Sequence, residues 1–268
     1  MSSGSLFTKI LGSNVSVTTY CQVCDRIQTL AQTKQSSYIV AANVHVIMTA
    51  YWRSKYRHIL NQADLITPDG MPLVMGMRWL GTKHQSRVYG PDLMLAWCDR
   101  AAKTQLPIYL YGSTPQTLKR LSANLKDRFP NLQIAGTHSP PFRPLTSAEE
   151  AADIARIHQS GAAVVFVGLG CPKQEEWMHR QQGKLNAVMV GVGAAFQFHS
   201  DEVTQAPRWM MKYSLEWLFR LCQEPQRLWS RYLLTNTAFV VLFGLQMLKH
   251  TLTHRHPEQS IFADSLGD

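Results

Sequence analysis

The sequence predicts an α/β fold with a mostly parallel sheet and helices on both of its faces. Three observations lead there. Short apolar runs alternate with helical patterns through the middle of the chain. The runs are continuous stretches of Val, Ile and Leu, as in strands buried on both faces, and do not alternate apolar with polar residues. Several end in glycine or in a Pro-Asp-Gly turn that feeds a helix. A chain of 268 residues has room for one large domain, or for a domain with an appendage.

In chain order the expected strands lie in "SYIVAANV" (37–44), "ADLITPDG" (63–70), "PIYLYGSTP" (107–115), "LQIAGTH" (132–138), "AAVVFVGLG" (162–170) and "NAVMVGVGAAF" (186–196). Helices are expected between them, over 115–129 and 147–159 among others. Thr146 or Ser147 would cap the second, with Glu149 and Glu150 in its first turn. This core is expected to span 1–205. A helical appendage at 206–250 and a disordered tail at 251–268 would follow.

The appendage differs in character. "APRWMMKYSLEWLFRLCQEPQRLWSRYLL" (206–234) carries Trp209, Trp217, Trp229, Tyr213 and Tyr232. Its charges, Arg208, Lys212, Glu216, Arg220, Glu224, Arg227 and Arg231, recur every three or four residues, a helical stripe interrupted near Pro225. "AFVVLFGLQML" (238–248) is apolar but falls short of the ~20 residues of a bilayer span. The region fits an interfacial anchor or a buried helical pair with a solvated face, and both readings stand.

Composition narrows the function classes. Hydrophobic residues at 45% and charged residues at 17% fit a packed core and exclude a disordered chain. The net charge of +9 favours anionic partners. Five irregularly spaced cysteines argue against a disulfide scaffold. Cys21 and Cys24 form a lone Cys-x-x-Cys with no second pair to complete a zinc site. The N-terminal stretch lacks the pattern of a signal peptide, so a cytosolic location is expected.

Gly112, Gly168 with Gly170, and Gly191 with Gly193 end three strands, where an open parallel sheet receives ligands. A nucleotide could approach the backbone there. The third glycine of a dinucleotide fingerprint is missing after both Gly168 and Gly191. Asp69, in "ITPDGMPLV", could take a proton from a hydroxyl or cap the next helix. Arg87, in "SRVYGPDLM", could grip a diphosphate or pair with Asp92. Asn43 could read a sugar or cap a helix, and His45 reads first as a hydrogen-bonded core residue. Lys173, Gln174 and Glu175 begin a helix, where amides favour an anion; of the three, Gln174 is the one expected to touch a ligand. No Asp-x-Asp pair appears, and the "HRH" of the tail is a weak metal signal that reads first as solvated.

As a set these stretches resemble the WecG/TagA/CpsF glycosyltransferases. "NVHVIM", "ADLITPDGMPLV", "RVYGPDLM", "YLYGSTP", "FVGLGCPKQEEW", "GVGAAFQF" and "APRWMMKYSLEWLFRLCQEPQRLWSRYL" occur in the family's order across most of 38–234. The resemblance implies a Rossmann-like fold. It also implies inverting, metal-independent and cofactor-free transfer from a UDP-sugar to a saccharide on undecaprenyl diphosphate, at the cytoplasmic face of the bacterial inner membrane. The donor sugar would be N-acetylmannosamine, its uronic acid or a hexose. Asp69 would be the general base. Asn43, Arg87, Gly168, Gln174, Gly191, Gln197 and Arg231 would bind substrate, and Arg220 and Arg227 would also close over the diphosphate. Membrane association and a homo-oligomer are compatible with it. Departures occur at Ala41, where some members have threonine; at Gln197, where many have aspartate; at Gln205, where arginine is frequent; and at Ser230, often basic. Those at Ala41 and Gln197 leave room for a noncatalytic, membrane-associated partner in a polysaccharide assembly complex. Nucleic-acid binding would rest on charge alone, since no recognised module is present.

Overall fold

The computed structural model describes residues 7–254, with the side chains of Arg227, Arg231 and His254 outside the description. A hairpin of β1 (Phe7–Ile10) and β2 (Ser13–Ser16) opens the chain. Then come α1 (Tyr20–Gln32), β3 (Ser37–Ala42), α2 (Val44–Trp52), α3 (Ser54–Asn61), β4 (Leu65–Pro68) and α4 (Met71–Trp79). Next are α5 (Gly90–Thr104), β5 (Ile108–Gly112), α6 (Pro115–Arg128), β6 (Ile134–His138), α7 (Ser147–Ser160), β7 (Val164–Gly168), α8 (Lys173–Gln181) and β8 (Val188–Gly191). The remaining helices are α9 (Ala195–His199), α10 (Arg208–Lys212), α11 (Glu216–Gln223) and α12 (Pro225–His254).

Each of the six expected strands forms, and all join one sheet in the order β4-β3-β8-β7-β5-β6. Every pairing within it is parallel. Successive side chains of a strand point to opposite faces, and the core divides accordingly. Tyr38, Val40, Val165 and Val167 belong to the cluster on one face. Ile39, Val164 and Phe166 belong to the cluster on the other. Helices cover both, so β5, β7 and β8 are buried throughout and read as continuous apolar runs, while the edge strand β6 is only partly buried.

Local signals start the helices where expected. Thr146 caps α7 in a reciprocal capping box with Glu149, and Thr19 does the same for α1 with Gln22. The Cys-x-x-Cys lies on α1, with Cys24 buried and Cys21 exposed, and both thiols are free.

The C-terminal helix has one face packed on the core and one apolar face exposed. α12 is 30 residues long, and its Leu228–Thr253 stretch is long and apolar enough to cross a membrane. Counting only 238–248 underestimated it, because Thr235 lies inside the helix and is buried. One face packs on the core. Phe239 and Phe243 stack at 5.5 Å, and Phe243 stacks on Trp79 of α4. Gly76 of α4 lets that ring approach; a Cβ there would meet it at 3.0 Å. Further along, the Gln246 amide donates to Lys9 O at 2.7 Å and accepts from Leu11 N at 2.8 Å, tying α12 to the hairpin. The opposite face leaves Val240, Val241, Leu245, Leu248 and Leu252 exposed.

Truncating a buried phenylalanine costs about 3–5 kcal/mol. Phe243→Ala is therefore expected to lower the midpoint of cooperative unfolding of the whole α/β core, followed by circular dichroism in urea. An unchanged midpoint would mean that α12 is energetically independent of the sheet.

Candidate active site

From β3 the chain passes outward to β4 on one side of the sheet, whereas β5 to β8 lie on the other. The two groups meet at β3 and β8. Crevices of open α/β sheets form outside the carboxyl ends of the strands at such a divide. A cleft opens there. Its floor carries Ala41, Asn43, Asp69 and Gly193, and Glu216, Trp217, Arg220, Tyr232 and Asn236 of the last two helices overhang it.

Asp69 sits at the floor, one residue past β4. It does not cap α4, whose N-cap is Gly70. Instead its Oδ1 accepts the backbone N–H of Gly90 at 2.6 Å, at the start of α5. Desolvation pushes its carboxyl up to about 6, against the opposing pull of Arg87 and of the Gly90 hydrogen bond. Gly90 leaves no room for a side chain. A Cβ there would lie 3.1 Å from Ala41 Cβ, 3.2 Å from Val192 O and 3.4 Å from Asp69 Oδ1.

Arg87 organises the next layer. Its Nε donates to the backbone carbonyl of Asp69. Its NH2 donates to Glu216 Oε2 at 2.6 Å, and its guanidinium lies 3.9 Å from the centroid of the Tyr89 ring. The Tyr89 hydroxyl donates to Glu216 Oε1 at 2.8 Å. Arg87 thus pairs with Glu216 of α11, not with Asp92, which pairs with Arg208. Arg220 also lines the cleft, 5.5 Å from the Phe198 ring. Asn43 takes the capping role, and the residue also borders the cleft. Its Oδ1 caps α2 by accepting Val46 N at 3.3 Å. His45 lines the cleft as well.

Other expected site residues lie elsewhere. Gln174 is buried beneath the glycine turn after β8, accepting Gly193 N at 3.3 Å and donating to Glu175 at 3.1 Å. It does not line the cleft, and neither do Gly168, Gly191 and Gln197. Three of the strand-end glycines closely approach protein neighbours, whereas Gly193 has open space beside it and lines the cleft. A Cβ on Gly112 would lie 2.7 Å from the Gly168 backbone, one on Gly168 the same distance from the Phe196 ring, and one on Gly191 2.4 Å from Gln174 Nε2. The side chains of Arg227 and Arg231, on α12, fall outside the described residues. The residues not singled out beforehand are Tyr89 and Glu216. Both stood within quoted motifs, Tyr89 in "RVYGPDL" and Glu216 in "LEWLFR". Among the described residues, no group of three His, Cys, Asp or Glu side chains could hold a metal ion.

Comparison with known proteins identifies the family of the chain. Residues 8–253 match the profile of the Glycosyl transferase WecG/TagA/CpsF family. The chain is 34% identical over 200 residues to the N-acetylglucosaminyldiphosphoundecaprenol N-acetyl-beta-D-mannosaminyltransferase of Bacillus spizizenii strain W23, covering 74% of this chain and 76% of that protein. It is 32% identical over 201 residues to the protein of the same name from Bacillus subtilis strain 168, covering 75% and 76%. With the parallel sheet, the Asp69 cleft and the "RVYGPDL" and "LEWLFR" stretches around it, the match across nearly the whole chain shows that this protein belongs to the WecG/TagA/CpsF family of glycosyl transferases.

Proposed function

We propose that the protein transfers a sugar from a UDP-sugar to a saccharide carried on a polyprenyl diphosphate, with inversion at the anomeric carbon. N-acetylmannosamine is the first candidate for the sugar, by the names of the two relatives. One observation carries the reading. Asp69 stands at the cleft floor with Oδ1 held by Gly90 and its proton affinity raised to about 6, as a base working near neutrality requires. Asp69 takes the proton of the acceptor hydroxyl, whose oxygen attacks the anomeric carbon as the bond to UDP breaks. UDP leaves with the bonding pair. In this reading the charge growing on the diphosphate is met by guanidinium groups, which stabilise it without reorganising.

A division of labour follows. Residues 1–205 supply the base and the floor, and 206–250 cover the cleft. The exposed aliphatic face of α12 and Trp209, Trp217 and Trp229 rest on the membrane that holds the acceptor, at its cytoplasmic face.

Incubation with a panel of UDP-sugars and an undecaprenyl-like diphosphate acceptor is expected to yield UDP and an acceptor heavier by one N-acetylhexosamine, read by mass spectrometry. No product with any donor would overturn the reading. Val241→Glu with Leu248→Glu is expected to abolish sedimentation with anionic vesicles while the fold persists. Unchanged sedimentation would remove the α12 face from the membrane contact.

Asp69→Asn is expected to lower turnover by about 10²–10⁴-fold while UDP binding persists, and the parent rate should fall as pH drops below about 6. Stability should move the other way. The folded carboxyl holds its proton more tightly than the unfolded one. Its stabilising effect is therefore present below about pH 4 and is lost as pH rises through about 6. The loss approaches 3 kcal/mol, reduced by water at the mouth of the cleft. Asp69→Asn should thus melt higher than the parent above pH 6, with the gap closing toward pH 4. A variant melting lower at pH 8, or retaining parent turnover, would count against Asp69 as a desolvated base.

A further inference from the structure

α11 bears on the cleft with little apolar support. None of its residues is fully buried, its first turn has no side-chain cap, and Phe219 only partly enters a small cluster with Tyr89, Phe198 and Met211. Its firm attachment is polar. The Glu216 carboxylate receives Arg87 NH2 at 2.6 Å and the Tyr89 hydroxyl at 2.8 Å. The Glu216 and Arg87 side chains are 17% and 16% exposed, so water competes little for the pair. At the first turn of α11, Glu216 also complements the helix dipole.

Arg220 lies four residues further along the same helix, hence on the same face. Its state contrasts with that of Arg87. Arg87 spends Nε on the Asp69 carbonyl and NH2 on Glu216, so its fork is occupied. Among the described residues, Arg220 has only a distant carboxylate, Glu224 at 3.9 Å, and its buried Nε has no hydrogen-bond partner. A buried donor left unpaired costs about 1–3 kcal/mol, and an anion entering the cleft would recover that. A phosphate oxygen is the ligand that a planar guanidinium fork suits.

We infer that Glu216 is a positioning residue: by pairing with Arg87 and Tyr89 it docks α11 on the catalytic floor and holds Arg220 over the cleft as a receptor for a nucleoside diphosphate. Arg87 is then the joint between floor and cover, and Arg220 is the group that meets the ligand. This rests on the transferase reading, in which Arg220 is already expected at the diphosphate, and adds that Glu216 sets the position of Arg220.

The test is a double-mutant cycle on the full chain, with UDP as the probe and calorimetry as the readout. Glu216→Ala and Arg220→Gln are each expected to raise the Kd for UDP roughly tenfold. The double variant should bind no worse than Arg220→Gln alone, because Glu216 acts through Arg220. Glu216→Gln keeps the size of the side chain and loses its charge, and should fall between parent and Glu216→Ala. Melting temperatures close to the parent's would show that the losses are not unfolding. Additive losses, or UDP binding by Glu216→Ala as tight as the parent's, would overturn the assignment. The two readings fail separately. A parent that shows this coupling but transfers no sugar sinks only the proposed reaction, whereas one that transfers sugar with additive losses sinks only the role of Glu216.

Discussion

The site depends on a hydrogen bond between the ends of two elements that are not adjacent in the chain. Gly90 N–H donates to Asp69 Oδ1, joining the start of α5 to the carboxyl end of β4. One oxygen of the carboxylate is fixed by a main-chain donor. Arg87, three residues before Gly90, holds the carbonyl of the same aspartate. The residue is gripped by backbone and side chain together, so its carboxylate can face a partly desolvated cleft without turning away to water. The cost is ionisation in a poorly solvated place, and the raised proton affinity expresses that cost.

The crowding around Gly90 is part of the same constraint. β3, β8 and the turn after β4 converge there, with Ala41, Val192 and Asp69 all within 3.4 Å of where a Cβ would stand. A threonine at position 41 would bring one more polar atom to this junction. Alanine instead presents a methyl group to the cleft beside Gly90. The departure at position 41 therefore bears on the polarity of the floor, and the packing that places Asp69 is intact.

Much of the sheet was legible in the sequence, because parallel strands buried on both faces must be continuous apolar runs, as in "VVFVG" and "IYLYG". The hairpin was not. Its turn uses Leu11 at φ +47 before Gly12 at φ +87, and a leucine in the left-handed region gives no Asn-Gly signal. Asp69 was legible because Pro-Asp-Gly ends a strand. Its partners Gly90 and Glu216 were not, since they lie 21 and 147 residues away along the chain. The glycines carry a physical ambiguity, and of them Gly193 lines the cleft. Strand-end glycine marks a close approach, and sequence cannot tell whether a ligand or another part of the chain makes it. At Gly112, Gly168 and Gly191 the chain does. Gln174 followed the same course, because a polar residue after a strand can face outward to a ligand or inward to orphan amides. Here it turns inward to Gly193.

The last two helices show how one segment can serve both the core and a surface. A purely buried α12 would need apolar residues all round, and a purely interfacial one would need a charged face opposite its apolar one. α12 has neither pattern. Phe239 and Phe243 close against α4, Gln246 spends its amide on the hairpin backbone, and Val240, Val241 and Leu245 point outward. The inward contacts fix where α12 lies, and Pro225 sets the break from which α11 returns toward the cleft. α11 is therefore held at its far end by an apolar anchor and at its near end by the ion pair of Glu216 with Arg87. Of the two attachments only the ion pair is polar and beside the ligand space, so it is the one whose strength an entering anion can alter.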